Sequence, residues 1–184
     1  MSRTQSPTRF TLRQVSAIAS PGNVDNHQAV AMTAEWIAGA RDVFYLGRQL
    51  NHATALEGAL KLKEISYIHA EGYSAGELKH GPIALFTKDT PVVAIVPRDE
   101  TYHKMITSVR ESGARGTPVI AVAPEGETEV DQVADIVIRI PACEPRFTPI
   151  LASVALQLLA YYVAKHRGCD IDMPRNLAKS VTVE

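Results

Sequence analysis

Four short runs of apolar residues constrain the fold of this chain more than any other feature. They occupy residues 43–46, 91–96, 118–122 and 135–140, and most of their side chains are Val, Ile or Ala. Within these runs, apolar residues follow one another without the alternation of a half-exposed strand. Such runs are typical of parallel strands that are buried on both faces. The sequence therefore predicts a parallel sheet with helices on both sides.

Helical patterns separate these strands. From Val30 the pattern is helical, with Ala31, Trp36 and Ile37 as its apolar residues ahead of Gly39. Further helices are predicted over residues 54–68, 100–112 and 147–166, with a short one over residues 127–133. This alternation predicts a doubly wound α/β sandwich. Ligands of such sheets bind beyond the carboxyl ends of the strands, which here are the loops after Leu46, Val96 and Val122.

The domain organisation follows from length and local composition. A chain of 184 residues is the size of a single domain with a sizeable core. Residues 1–26 are polar, and we interpret them as a poorly ordered leader or the remnant of a linker. Residues 27–168 then form the domain, and residues 169–184 form a C-terminal tail.

Composition argues against several classes of partner. A formal net charge of −1 gives no electrostatic case for binding nucleic acid or an anionic membrane. We find no uninterrupted apolar run of membrane-spanning length and no signal-peptide core. Cys143 and Cys169 are too few and too far apart for a disulfide framework or a metal knuckle. No P-loop, dinucleotide fingerprint or nucleophile elbow occurs in the sequence. We therefore expect a cytoplasmic protein without a metal or other cofactor.

The first candidate for chemistry is a charged stripe on the helix after the first strand. Glu57, Lys61 and Glu64 are spaced i, i+4, i+7 and share one helical face. Two carboxylates around one ammonium can supply a base and a group that tunes it. Glu–Lys pairs at this spacing also occur as simple solvated ion pairs, so the spacing leaves both interpretations open.

The second candidate is a glycine-rich segment over residues 71–82. His80 precedes Gly81 and Pro82, which restrict the backbone there. A histidine titrates near neutral pH and suits ring opening and other proton transfers. The alternative is a structural histidine held by hydrogen bonds.

The third candidate is the C-terminal tail. Pro174, Leu177, Val181 and Val183 make it more apolar than most chain ends, with Lys179 in its middle. Burial would lower the pKa of such a lysine and make its amine a nucleophile toward a ketone, giving an imine. The alternative is an exposed lysine without a role.

These segments together resemble one family. The sequences ALEGALKLKEIS at 55–66, AGELKHGP at 75–82 and PRNLAKSVTVE at 174–184 look like the glutamine:fructose-6-phosphate amidotransferases, also called glucosamine-6-phosphate synthases. The likeness runs from about Asp42 to Glu184. It implies a sugar isomerase (SIS) domain, which is a flavodoxin-like three-layer α/β/α sandwich. This chain would correspond to the second SIS domain and the tail.

The resemblance also implies a role for each candidate residue. Lys179 would form the imine with open-chain fructose 6-phosphate, and ammonia would then displace the lysine. Glu64 would move a proton between C1 and C2 on the way to glucosamine 6-phosphate. His80 would assist ring opening from the neighbouring subunit of a homodimer. The remaining assignments are Lys61 beside Glu64, Glu57 in support, the Ala178 backbone facing the sugar, and Val181 near the ammonia path.

Departures from the family pattern bear on activity. The glutaminase domain is expected to be missing, since Met1-Ser-Arg-Thr offers no cysteine nucleophile. The first SIS domain, which holds the substrate phosphate in the family, is expected to be missing too. The loop after the first strand also reads Gly47-Arg-Gln-Leu, where the family pattern leads us to expect another glycine after the arginine. We therefore expect the isolated chain to be inactive. The alternatives are a stand-alone, non-catalytic SIS module that binds a phosphosugar or a partner subunit, and a different SIS isomerase, which the tail disfavours.

Overall fold

The computed structural model describes residues 24–175, with side chains from residue 28 onward. The predicted leader, residues 1–26, lies outside the described residues except for its last three positions, which belong to the first helix. The second half of the tail, residues 176–184, also lies outside them.

The described residues form an alternating α/β chain. Its helices are α1 (Val24–Ala38), α2 (Leu50–Ser66), α3 (Tyr102–Gly113) and α4 (Thr148–His166). Its strands are β1 (Asp42–Gly47), β2 (His69–Ser74), β3 (Val92–Ile95), β4 (Val119–Pro124) and β5 (Ile136–Ile140). Single 3₁₀ turns cover Leu78–His80, Pro82–Leu85, Val130–Gln132 and Pro145–Phe147. The strands form one sheet in the order β2-β1-β3-β4-β5, and every pair is parallel. The predicted doubly wound sheet is confirmed.

Strand β2 is the element that the sequence pattern did not predict. Its sequence, HAEGYS, is mostly polar, and only Ala70 in it is fully buried. The strand lies at the edge of the sheet and pairs with β1 alone, from Asp42 opposite His69 to Gly47 opposite Ser74. An edge strand need not be apolar on both faces, so it lacks the signal that identified the other four.

The sheet divides the core into two layers. On one face, α1, α2 and α4 pack on the inward side chains of the strands, with Ala59, Leu62 and Leu156 among the buried residues. On the other face, α3 and the segment after β2 pack together, with Leu78 and Met105 among the buried residues. The segment that contains His80 therefore belongs to a different layer from α2.

Helix α4 and the turn before it have the length and apolar composition of a membrane-spanning helix. Within the described residues, Pro145–His166 is the one helical stretch with both properties, with a mean hydropathy of 1.6 in its best window. Ser153 and Gln157 interrupt its apolar run, so the sequence holds no continuous apolar stretch of that length. In the structure half of that window is buried, and α4 packs between α1 and α2. These contacts are those of a core helix.

Candidate functional site

The charged stripe of α2 forms as the spacing predicts. The Lys61 Nζ atom lies 2.9 Å from Glu64 Oε2 and 3.6 Å from Glu57 Oε1. About a third of the Lys61 side chain is exposed, at 34%, and Glu64 is similar at 29%. One ammonium thus holds two carboxylates in place at a surface that a ligand can reach.

The electrostatics of the stripe determine the charge state of Lys61. The hydrogen bond to Glu64, together with the charge of Glu57, raises the pKa of Lys61 above its ordinary value. Lys61 therefore stays cationic at neutral pH and is unsuited to attack a carbonyl group, which needs a neutral amine. In this arrangement its ammonium holds the carboxylate of Glu64 in position through the 2.9 Å contact.

The stripe does not lie where the strand-end rule predicts. Helix α2 begins just after β1, but Glu64 lies fourteen residues after Leu50, or about 21 Å along the helix axis. Because α2 runs antiparallel to the strands, Glu64 lies near their amino ends. The loops after Leu46, Val96 and Val122 lie at the opposite edge of the sheet.

The start of the tail lies against the end of α2. Tyr67, which follows the helix, adopts a left-handed conformation with φ of 60°. Its hydroxyl accepts a hydrogen bond from the backbone N–H of Arg175 at 3.1 Å, and the Arg175 guanidinium lies 4.2 Å from the centre of its ring. The Cys169 thiol lies 3.8 Å from the Ser66 carbonyl oxygen. Residues 169–175 are therefore anchored three residues beyond Glu64.

A broad cavity opens between the tail and the helix end. Its volume is about 610 Å³, and Tyr67, Cys169, Met173 and Arg175 are among its lining residues. Pockets of this size accept small organic ligands. Sequence reasoning missed both Tyr67 and Arg175, because neither residue type has a distinctive spacing and their contact spans 108 residues.

His80 lies apart from the stripe. It is exposed at the end of the turn Leu78–His80, and Gly81 after it has φ of 151°, a conformation that favours glycine. The turn is fixed by the buried side chain of Leu78, which packs in the α3 layer. Glu64 belongs to the other layer, so one chain does not bring His80 and Glu64 together.

Polar side chains of the loop after β3 bond to other residues of this chain. Asp99 Oδ1 accepts hydrogen bonds from the backbone N–H and the hydroxyl of Thr101, at 2.7 and 2.6 Å. Arg98 pairs with Glu127 at 2.9 Å. This loop therefore offers no free Ser or Thr hydroxyl donors to a phosphate, as the sequence indicated. Ala178, Lys179 and Val181, the remaining predicted site residues, lie outside the described residues.

Comparison with known proteins gives the family. The sequence matches the SIS domain family over residues 36–167, which is most of the chain. The chain belongs to the SIS domain family. This SIS domain is 54% identical over 168 residues, or 89% of its length, to glutamine–fructose-6-phosphate aminotransferase (isomerizing) from Methanosarcina acetivorans. It is 48% identical over 184 residues, or 98% of its length, to the protein of the same name from Chlorobaculum tepidum.

The SIS domain spans only part of these relatives, 27% of the first and 30% of the second. Among solved structures it resembles the C-terminal domain of glucosamine-fructose-6-phosphate aminotransferase from Francisella tularensis, with a TM-score of 0.76 and 37% identity over 88% of this chain and 45% of that one. Tagatose-6-phosphate ketose/aldose isomerase from Escherichia coli has a TM-score of 0.70 at 22% identity, over 88% of this chain and 44% of that one. That second likeness shows the shared fold.

Proposed function

We propose that this SIS domain is the C-terminal isomerase part of a glutamine–fructose-6-phosphate aminotransferase, in which fructose 6-phosphate and ammonia become glucosamine 6-phosphate. The observation that carries the proposal is the meeting of two distant segments. Residues 169–175 are anchored beside the helix end that holds Lys61 and Glu64. Similarity to the named aminotransferases over 89% of the chain supports the same assignment.

Chain length makes it feasible for Lys179 to act near Glu64. Lys179 follows Arg175 by four residues, which span at most about 14 Å when extended. The amine would attack C2 of the open-chain ketose and release water, leaving an imine. Ammonia would then attack the imine carbon C2 and release the Lys179 amine, which leaves the imine of the sugar with ammonia. The carboxylate of Glu64 would take a proton from C1 of this imine and return it to C2. Ala178 would present its backbone to the sugar, and Val181 would border the path of ammonia.

A second subunit would complete the site. His80 and Glu64 lie in different layers of one chain, so a histidine that opens the sugar ring over Glu64 has to come from another copy. A homodimer that places His80 of one subunit at the cavity of the other satisfies this requirement. Sedimentation at micromolar concentration tests it, since a clean monomer that still carries out ring opening would contradict the arrangement.

The isolated chain should be a poor catalyst. Its β3 loop has no phosphate cradle, and loss of substrate orientation removes several orders of magnitude in rate. We therefore expect negligible formation of glucosamine 6-phosphate from fructose 6-phosphate and ammonia. An enzyme-like rate for the chain alone would overturn this expectation. Tight binding of fructose 6-phosphate without imine formation would favour the alternative, a non-catalytic SIS module.

Imine trapping tests the proposal without requiring turnover. The chain is incubated with millimolar fructose 6-phosphate, and borohydride then reduces any imine to a stable secondary amine. Peptide mass mapping should place the adduct on Lys179, and Lys179→Arg should abolish it. Lys165→Arg, an exposed position near the end of α4, is the matched control and should label like the parent. Labelling spread evenly over surface lysines would refute the assignment of Lys179.

A further inference from the structure

A cationic pocket lies in the layer of α3, on the opposite face of the sheet from Glu64. Arg48, which follows β1, contributes to it together with Gly76, which follows β2. Lys79 and Lys104 approach from the segment after β2 and from α3. The chemistry proposed above uses none of these residues.

The charges of this pocket are not balanced. Lys79 pairs with Glu111 at 2.7 Å, which leaves that cation compensated. Arg48 and Lys104 form no ion pair within residues 24–175. Two uncompensated positive charges therefore face the same cavity. Each side chain carries hydrogen-bond donors for which the described residues supply no acceptor.

Arg48 gives the strongest indication of a ligand. Its Nε atom is buried and has no hydrogen-bond partner in the described part of the chain. The guanidinium lies over Gly76, where a Cβ atom would come within 3.4 Å of Nη1. A buried, unsatisfied N–H donor is costly, and an acceptor with several oxygen atoms would relieve it.

The available donors restrict the ligand to an anion. The hydroxyls of Thr107 and Ser108 both donate to carbonyl oxygens of their own helix, at 2.9 and 3.1 Å. Their hydrogens are thus already used, so the two cations provide the attraction. A volume of about 230 Å³ is smaller than most pockets that enclose a whole metabolite. It is large enough for a phosphoryl group whose substituent extends into solvent.

We propose that Arg48 and Lys104 form a binding site for a phosphoryl group, separate from the site at the end of α2. The group is either inorganic phosphate or the phosphate of a phosphosugar, because both present the same dianionic oxygens. The site depends on charge more than on hydroxyl hydrogen bonds. Its affinity should therefore fall steeply with ionic strength.

Titration with inorganic phosphate at constant ionic strength tests the site. Binding is measured from the amide chemical shifts of the full chain. The amide of Gly76 should move with a saturable, millimolar dissociation constant. Lys104→Gln and Arg48→Gln should each weaken binding about tenfold, as expected for loss of a charge-assisted hydrogen bond. Glu111→Gln should strengthen binding, since it releases Lys79. Lys165→Gln is the control and should leave the affinity unchanged.

The spectra themselves report folding, and Lys104 is exposed, so its replacement does not disturb the core. Fructose 6-phosphate that moves the same amides, with the same dependence on Arg48, would identify a phosphosugar as the source. Binding of inorganic phosphate alone would identify the free anion. Saturation that is insensitive to both Arg48→Gln and Lys104→Gln, or no shift at Gly76, overturns the proposal. Neither result depends on imine formation at Lys179.

Discussion

The contact between Tyr67 and Arg175 offers a direct way to separate the tail from the rest of the domain. Tyr67→Phe removes the hydroxyl that accepts the Arg175 N–H but keeps the ring beneath the guanidinium. Tyr67→Ala removes both contacts. Phe and Ala occupy the left-handed position at φ of 60° with similar strain, so the two variants differ mainly in contacts.

The expected losses are modest and graded. A partly exposed hydrogen bond contributes about 0.5–1.5 kcal/mol, and a cation–π contact at an exposed site about 0.5–1 kcal/mol. Tyr67→Phe should thus weaken anchoring of the tail by about 1 kcal/mol, and Tyr67→Ala by about 2 kcal/mol. The melting temperature of the domain should hardly change, because Tyr67 belongs to neither buried core cluster.

Hydrogen exchange of residues 169–175 measures this anchoring. Protection of the Arg175 amide should fall about fivefold in Tyr67→Phe and about thirtyfold in Tyr67→Ala, from the free energies above. Trapping of the imine at Lys179 should fall in the same order. Exchange in Tyr67→Ala equal to that of the parent chain would refute the view that this contact anchors the tail.

Two further predictions concern the scaffold. Gly47→Ala should unfold or severely destabilise the domain, because its Cβ atom would lie 2.0 Å from the Asn51 carbonyl oxygen. The Cβ atom of Gly113→Ala would meet nothing within 4 Å, so this variant should be neutral or slightly stabilising. Thermal unfolding compares the two variants. The Tyr73 pKa is raised from 10.0 to about 12 by its hydrogen bond to Glu71 and by burial. The contribution of protonated Tyr73 to the free energy of unfolding is therefore complete below pH 10 and is lost as the pH rises through 12. Urea unfolding of Tyr73→Phe should show a smaller decrease over that interval.

Much of the fold was predictable because its signal is local. The four apolar runs each carry their own evidence of burial, and they became β1, β3, β4 and β5. Strand β2 carries no such evidence, since it is defined by pairing with β1. Helix α1 begins six residues before the position at which its apolar pattern starts, at residue 30. Hydrophobic pattern identifies the buried part of an element better than its ends.

The candidate site shows the same division. The contacts of Lys61 with Glu57 and Glu64 follow from helical spacing, and the structure confirms them. The contact between Tyr67 and Arg175 depends on the path of the chain after α4, which returns to the end of α2. No short sequence pattern predicts this path. The assignment of His80 to the α3 layer likewise depends on the burial of Leu78, a tertiary contact.

The energetics of the stripe favour a functional interpretation over a purely structural one. Helix α2 is already held by buried residues such as Ala59 and Leu62 on its inner face. Ion pairs as exposed as those of Lys61 add only a few tenths of a kcal/mol each. Stability therefore gives little reason to place two carboxylates around one lysine at this helix end. The tail and the cavity meet at the same place, where the proposed role of Glu64 as a base would require a carboxylate held by a neighbouring cation.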